Sequence, residues 1–358
     1  MPPYRTPLQP PGAEGHVMLQ PPMFGRFEDA YAAVLAHVSQ HFEHTSASRG
    51  NTARECLNVS FVLRDPRDRI VYLPARRTNI VFCFAEALWY LWGRDDLEMI
   101  SYYAPRLARF SSDGEKLAGS AYGPKLFRSA RTGRSQWETV RNLLAEDPAS
   151  KRAVVSFFHP DELTDPANPD VSCTLALQFF LRDGHLHATT YMRGNDAVIG
   201  LLSDVFSFTV IQEFTALQLG VQLGSYGHHV GSMHINEADA GRAAAIVGTA
   251  GHRYAWFPVR AMPPTRWPDL EIVAQYEGAL RRGEEQLAAD DPGWLGLDPY
   301  WQQVVLLFET YRQIVHCPGS PVRPSTLEAL DPGYRWLIAR RWPERMPEQL
   351  VLPAEAQQ

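Results

Sequence analysis

One short stretch gathers unlike chemistries. Residues 170–208 read DVSCTLALQFFLRDGHLHATTYMRGNDAVIGLLSDVFSF, in which Cys173, Arg193, Asp196 and Asp204 set a thiol, a cation and two carboxylates in or beside apolar runs. Cys173 opens an apolar run, Arg193 and Asp196 stand three residues apart, and Asp204 interrupts a second apolar run. A thiolate is a nucleophile that forms covalent intermediates, and a nearby guanidinium favours the thiolate over the thiol. Arg193 is placed to act so across a hairpin. Each residue also has a plainer use. A lone cysteine is often a small core hydrophobe, Asp196 suits a turn cap, and Asp204 suits a helix N-cap starting at Ser203 or Asp204.

Another carboxylate of interest lies elsewhere. NIVFCFAEALWYLWG (79–93) has helix length, a glycine stop and apolar residues almost all round, so it predicts a buried helix with Glu86 in its middle. A carboxyl there should have a raised pKa and could shuttle a proton or activate water. The alternative is a salt-bridged structural glutamate.

These residues need a frame. RFEDAYAAVLAHVSQHFE (26–43) has helical spacing, SRGNTA (48–53) reads as a flexible polar loop, and CLNVSFVL reads as a strand ended by RDPRDR. SQWETVRNLLAED (135–147) is an amphipathic helix. KRAVVSFFHP (151–160) and CTLALQFFLRDGHLHATTYMR (173–193) predict three strands, the last two joined at Asp183-Gly184. SDVFSFTVIQEFTALQLG (203–220) predicts a long buried helix, and GSYGHHVGSMHIN (224–236) a glycine-rich segment turning into strand. The divisions are an irregular proline-rich lead over 1–23, a main unit over 24–262 and a helical extension with proline breaks over 263–358.

The chain has 358 residues, a formal net charge of −6, 45% apolar and 21% charged residues. No basic field argues for nucleic acid as a partner. Cys56, Cys83, Cys173 and Cys317 lie far apart without zinc spacing, which predicts reduced thiols, no metal and a cytoplasmic setting. The N-terminus lacks the apolar core of a signal peptide, and no apolar run is long enough to span a membrane.

Taken in order, AEALWYLWG, LAGSAYGPKLF, DPASKRAVVSFF, SCTLALQFFLRDGHL, YMRGNDAVIG and GSMHIN resemble the thymidylate synthase family, the pyrimidine nucleotide C5 methylases and hydroxymethylases, over about residues 26–240. The resemblance implies an α/β (α+β) fold with a mixed β-sheet flanked by helices, whose back face forms a homodimer. It implies 5,10-methylenetetrahydrofolate as one-carbon donor. Cys173 would add to carbon 6 of the pyrimidine, so that carbon 5 becomes nucleophilic. Tyr122 would help remove the carbon-5 proton, and Glu86 would serve the ring and the folate. Arg49, Lys151, Arg152 and Arg193 match the phosphate clamp, with Lys151 and Arg152 acting in trans. Asp196 matches the pterin contact, and Gln178 and His234 fall on the substrate side.

Departures from the family narrow the substrate. Asp204 stands where methylases acting on dUMP carry asparagine, and hydroxymethylases acting on cytosine use aspartate. The spacings, 23 positions from Cys173 to Asp196 and 8 from Asp196 to Asp204, fit the family. A carboxyl accepts from cytosine's amino group, and a shared proton bridges to N3. Gly194 replaces a serine, Lys151 an arginine and Asn236 a tyrosine near the sugar and phosphate, which suggests room for a 2′-hydroxyl and CMP over dCMP. An unchanged dCMP site is the alternative. No tryptophan lies between Gly93 and Gln136, where methylases usually carry one, and this favours water over hydride as the final reactant. Thr174 and Met192 replace a histidine and a glutamine.

The expectation is a homodimeric cytidylate 5-hydroxymethyltransferase, suited to modified-nucleoside or antibiotic biosynthesis. Its rivals are a C5 methylase acting on dCMP, CMP or dUMP and a catalytically silent nucleotide-binding homologue. Residues 263–358 could also be a partner-binding module.

Overall fold

Asp183 and Gly184 both take positive φ, 49° and 73°, which is the geometry a two-residue hairpin turn demands. The computed structural model describes residues 20–48, 50–128, 134–251, 257–288 and 296–348. In it this turn joins β5 (Thr174–Arg182) to β6 (His185–Asp196) at the centre of a mixed sheet. The remaining strands are β1 (Met23–Phe24), β2 (His44–Ser48), β3 (Asn51–Leu63), β4 (Val154–Ser156) and β7 (Gln222–Asn236). Their order is β1-β3-β7-β6-β5-β4, with β2 also paired to β3. Only the β1–β3 and β6–β7 pairs are parallel.

Three expectations change. The polar stretch 48–53 is mostly strand: β2 and β3 pair directly, from His44 opposite Glu55 to Ser48 opposite Asn51. Ladder bonding to β2 and β7 overrides a composition that reads as loop. The strand expected over 151–160 narrows to Val154–Ser156, so Lys151 and Arg152 precede it. The glycines of 224–231 lie within β7 rather than before it.

The parallel β6–β7 pair needs a crossover, and α6 (Gly200–Leu219) supplies it. It starts ahead of the expected Ser203 and ends at Gly220, whose φ of 68° stops the helix. α6 is buried on nearly every side, so its polar side chains turn to partners inside, although Gln212 Oε1 is left without one. Thr209 and Thr215 donate to carbonyls one turn back, and Gln212 donates to the carbonyls of Leu186, Gly224 and Ser225.

Against α6 lies α2 (Ile80–Leu91), with Phe84 edge-on to Phe206 at 5.0 Å. Asn79 caps α2 by accepting from the Phe82 amide at 3.1 Å. Around this pair stand α1 (Phe27–His41), α3 (Leu97–Tyr103), α4 (Tyr122–Phe127), α5 (Gln136–Glu146) and α7 (Ala240–Thr249). Trp89 and Trp137 are fully buried in this layer, and truncating such a side chain costs about 3–5 kcal/mol.

Past residue 262 some prolines, such as Pro263, Pro264, Pro318 and Pro321, lie between helices, and others open them. α8 (Trp267–Arg281), α9 (Pro299–His316), α10 (Pro324–Ala329) and α11 (Pro332–Arg341) each carry proline in the first two positions, where its missing N–H costs nothing. They continue the same core. Tyr300 and Tyr334 contact Phe84, Trp92 donates to the Leu270 carbonyl, and Tyr103 donates to Glu277. The outward face of the sheet instead leaves Leu57, Val154, Leu175 and Tyr191 exposed. Among the described residues no helix is long and apolar enough to cross a membrane.

Candidate active site

Two glycines set the approach of Tyr122 to Cys173. A Cβ at Gly119 would fall 1.9 Å from the Asp170 carbonyl oxygen, and one at Gly123 would fall 2.8 Å from the Tyr90 carbonyl. The LAGSAYG loop therefore packs backbone to backbone against its neighbours. The Asp170 carboxylate accepts from the amides of Gly119 and Ser120 at 2.8 and 2.9 Å. Ser172 is held by the Gly119 carbonyl, Glu162 and Lys125. Cys173 follows this clamped residue and is exposed, whereas Cys56 and Cys83 are buried, and none of the four cysteines is in a disulfide.

Arg193 spans the same corner. Its guanidinium donates to the carbonyls of Ser172 and Val171 at 2.8 and 2.9 Å and stands 3.7 Å from the Cys173 sulfur. The Tyr122 hydroxyl accepts from the amide of Thr174, the residue after the thiol, at 3.1 Å. Burial raises the Tyr122 hydroxyl well above its ordinary pKa, and the Cys173 and Asp204 charges add to the rise. It stays a neutral phenol in a nest of Tyr90, Phe157 and Phe208.

Glu86 lies in the middle of α2 and is buried. Ser207 donates to its Oε2 at 3.2 Å, and Ser203 and Tyr90 also bond it. Burial outweighs those bonds and lifts the carboxyl to about 7. Asp204 is half-buried on α6, and its carboxyl is raised well above the ordinary range, first by burial and then by Glu86. The helix N-cap is Ile199, so Asp204 lies inside α6 and does not cap it.

Asp196 does the turn-tying. Its Oδ1 accepts from the amides of Val198 and Ile199 at 2.8 and 3.0 Å, and its Oδ2 accepts from Asn236 at 2.8 Å. His234 sits on β7 in register with Asp196, and its carbonyl accepts from Ala197. A Cβ at Gly194 would meet only the Ser232 carbonyl, at 3.7 Å, so that position holds open space.

The structure links Cys173 to Arg193 and Tyr122, sets Asp204 among Tyr122, Glu86 and Asp196, and bonds Asn236 to Asp196. It sets Gln178 and Lys151 apart, where Gln178 donates to the Lys151 carbonyl and accepts from Tyr191 on the outward face. Arg152 is exposed, 3.9 Å from Asp147. Arg49 lies outside the described residues. Among the described residues no cluster could hold a metal ion. The clamp of Asp170, Glu162 and Lys125 was not foreseen, although the aspartate before the Ser-Cys pair was a usable signal.

The thymidylate synthase family model matches residues 29–249. The chain belongs to the thymidylate synthase family. Family members use methylenetetrahydrofolate as one-carbon donor. Relatives include a deoxyuridylate hydroxymethyltransferase of Bacillus phage SP01, 32% identical over 207 residues. That match takes in 54% of this chain and 53% of the relative, so the chain spans about half of that protein. A deoxyuridylate hydroxymethyltransferase of Pseudomonas phage M6 is 28% identical over 305 residues, 79% of this chain and 84% of the relative. An overlap of that length must extend past residue 249 into the C-terminal helices. A thymidylate synthase of Symbiobacterium thermophilum is 30% identical over 165 residues, 42% of this chain and 57% of the relative.

The residues present fit the family's folate. Ile199 is 45% exposed beside Asp196, so an apolar surface stands next to a carboxylate, a chemistry compatible with a flat ring that carries an amino group.

Proposed function

We propose that this protein hydroxymethylates carbon 5 of a cytosine nucleoside monophosphate, CMP before dCMP. The observation that supports the choice of base is the place of Asp204, within α6 and facing Glu86 rather than capping the helix. A neutral carboxyl there donates to cytosine N3 and accepts from its amino group.

The bound methylenetetrahydrofolate supplies a one-carbon unit. Cys173 adds its sulfur to carbon 6 as Arg193 holds the thiolate and the phosphate. The electron pair released to carbon 5 forms the new carbon–carbon bond to that unit, whose two bonds to folate nitrogens would break in turn, one as the new bond forms and one after the carbon-5 proton leaves, so that tetrahydrofolate departs with both nitrogen electron pairs. Tyr122, neutral and bonded to the Thr174 amide, orients a water that takes the carbon-5 proton. Glu86, poised near neutrality, steers a second water onto the exocyclic carbon, and the sulfur departs from carbon 6. Asp196 and Ile199 hold the pterin side.

Gly194 and Asn236 leave room for the 2′-hydroxyl. The exposed Leu57, Val154, Leu175 and Tyr191 suit a homodimer through the outward sheet face, which would carry Lys151 and Arg152 to the partner's phosphate.

A uracil nucleotide is the second reading, favoured by the names of the phage relatives. A protonated Asp204 can also donate to uracil O4 and accept from N3–H. An ionised one has only acceptors and rejects O4. Incubation with CMP, dCMP, UMP or dUMP plus methylenetetrahydrofolate separates these outcomes. A gain of CH2O on CMP supports the proposal, and one on uracil nucleotides alone overturns the choice of base. A gain of CH2 indicates a methylase, and no gain with no tritium release from carbon 5 indicates a silent homologue.

A further inference from the structure

Behind Asp204 runs a line of buried polar groups that the chemistry above does not use. Thr190, Tyr226 and His228 are fully buried, and Asn195 is 3% exposed. The Tyr226 hydroxyl donates to Thr190 Oγ1 at 2.9 Å, so its oxygen is left to accept from His228 Nδ1, 3.0 Å away. An imidazole with its hydrogen on Nδ1 has a bare Nε2. That nitrogen lies 3.1 Å from the Asn195 amide nitrogen, which therefore donates to it. Burial first, and the neighbouring His229 second, hold the His228 ring neutral by lowering its pKa to about 3.

The Asn195 amide in turn hydrogen-bonds Asp204. It occupies the space that Gly200 leaves, since a Cβ there would come 2.8 Å from Asn195 Oδ1. Turning the amide over would set its oxygen against the bare Nε2, two acceptors facing each other away from water. The titratable groups facing Asp204 are Glu86 and Tyr90 from α2, Tyr122 from α4, Asp196 at the end of β6 and Tyr226 on β7. Burial and Glu86 push its carboxyl up, and the Asn195 bond pulls it down.

We propose that Thr190, Tyr226, His228 and Asn195 form a positioning network that anchors one oxygen of Asp204 and leaves the other to read the base. His228 then governs base choice without touching the nucleotide. The inference rests on Asp204 as the base reader. Donation runs one way, from Asn195 to His228 to Tyr226 to Thr190, so loss of the His228 acceptor leaves the amide nitrogen the weak Met192 sulfur, 3.0 Å away, and loosens its hold on the carboxyl.

The test uses the full chain with His228→Phe, His228→Gln and the milder Tyr226→Phe. CMP and UMP affinities are measured by calorimetry without folate, and kcat/KM on both is measured across the pH range. His228→Phe should narrow the ratio between the two bases about tenfold and shift the pH at which the less favoured base is rejected. His228→Gln, whose amide oxygen can take the Asn195 hydrogen, should restore most of the ratio, and Tyr226→Phe should fall between. Equal losses on both nucleotides, with the wild-type ratio and pH profile kept, would overturn the network. If His228→Phe does not fold, the other two variants decide on the same ratio. A wild-type protein that binds neither nucleotide overturns the functional reading itself.

Discussion

Arg193 holds its guanidinium 3.7 Å from the Cys173 sulfur while bonding the two carbonyls that precede that residue. The cation is therefore fixed by the same loop that carries the nucleophile. Lysine cannot reproduce a planar fork that makes several bonds at once. Arg193→Lys should slow alkylation of Cys173 by iodoacetamide at neutral pH about tenfold and weaken nucleotide binding. Peptide-resolved mass spectrometry and calorimetry check the two effects.

Glu86 ties activity to pH. Its folded pKa of about 7 lies above the ordinary 4.5, so between those values the folded chain binds a proton that the unfolded chain lacks. Stability should be full below the ordinary value and fall as pH rises through the folded one, by on the order of 3 kcal/mol. Glu86→Gln should abolish that slope and melt higher than wild type at alkaline pH. It should also lose about 10²–10⁴ in turnover. Calorimetric melting and pH–rate profiles read both.

Two glycines should behave oppositely. Gly119→Ala forces a methyl group into the Asp170 carbonyl, so it should unfold the loop and abolish activity. Gly194→Ser meets only an ordinary contact, so the fold should stay intact while the preference shifts from CMP toward dCMP. Circular dichroism and competition kinetics distinguish the two.

A chain ending at residue 262 should not fold independently. Removing α8–α11 strips Tyr300 and Tyr334 from Phe84 and takes away the acceptors of Trp92 and Tyr103. A soluble, cooperatively melting truncation would instead favour a separable module.

Much of this site was legible because its residues announce themselves by contrast. Glu86 in an apolar helix and the Asp183-Gly184 turn needed only local rules. Asp204 was ambiguous because a helix start and a helix interior look alike until tertiary packing places the cap at Ile199. Segment 48–53 misled because its polar residues pair with β2 and β7, which composition does not encode. The Asn195–His228 pairing joins residues distant in sequence, and even the β6–β7 register, which sets His228 opposite Thr190 and Asn195 opposite Met233, does not announce a bond made by their side chains.

The most direct test traps the bond at Cys173. A 5-fluorinated CMP cannot release fluorine as a cation, so with methylenetetrahydrofolate the reaction should halt with nucleotide attached to the enzyme. Digestion and mass spectrometry should then find the nucleotide on the peptide containing Cys173, and Cys173→Ser should show none. A wild-type enzyme that turns over nucleotide yet forms no adduct, or carries it on another residue, would contradict the account.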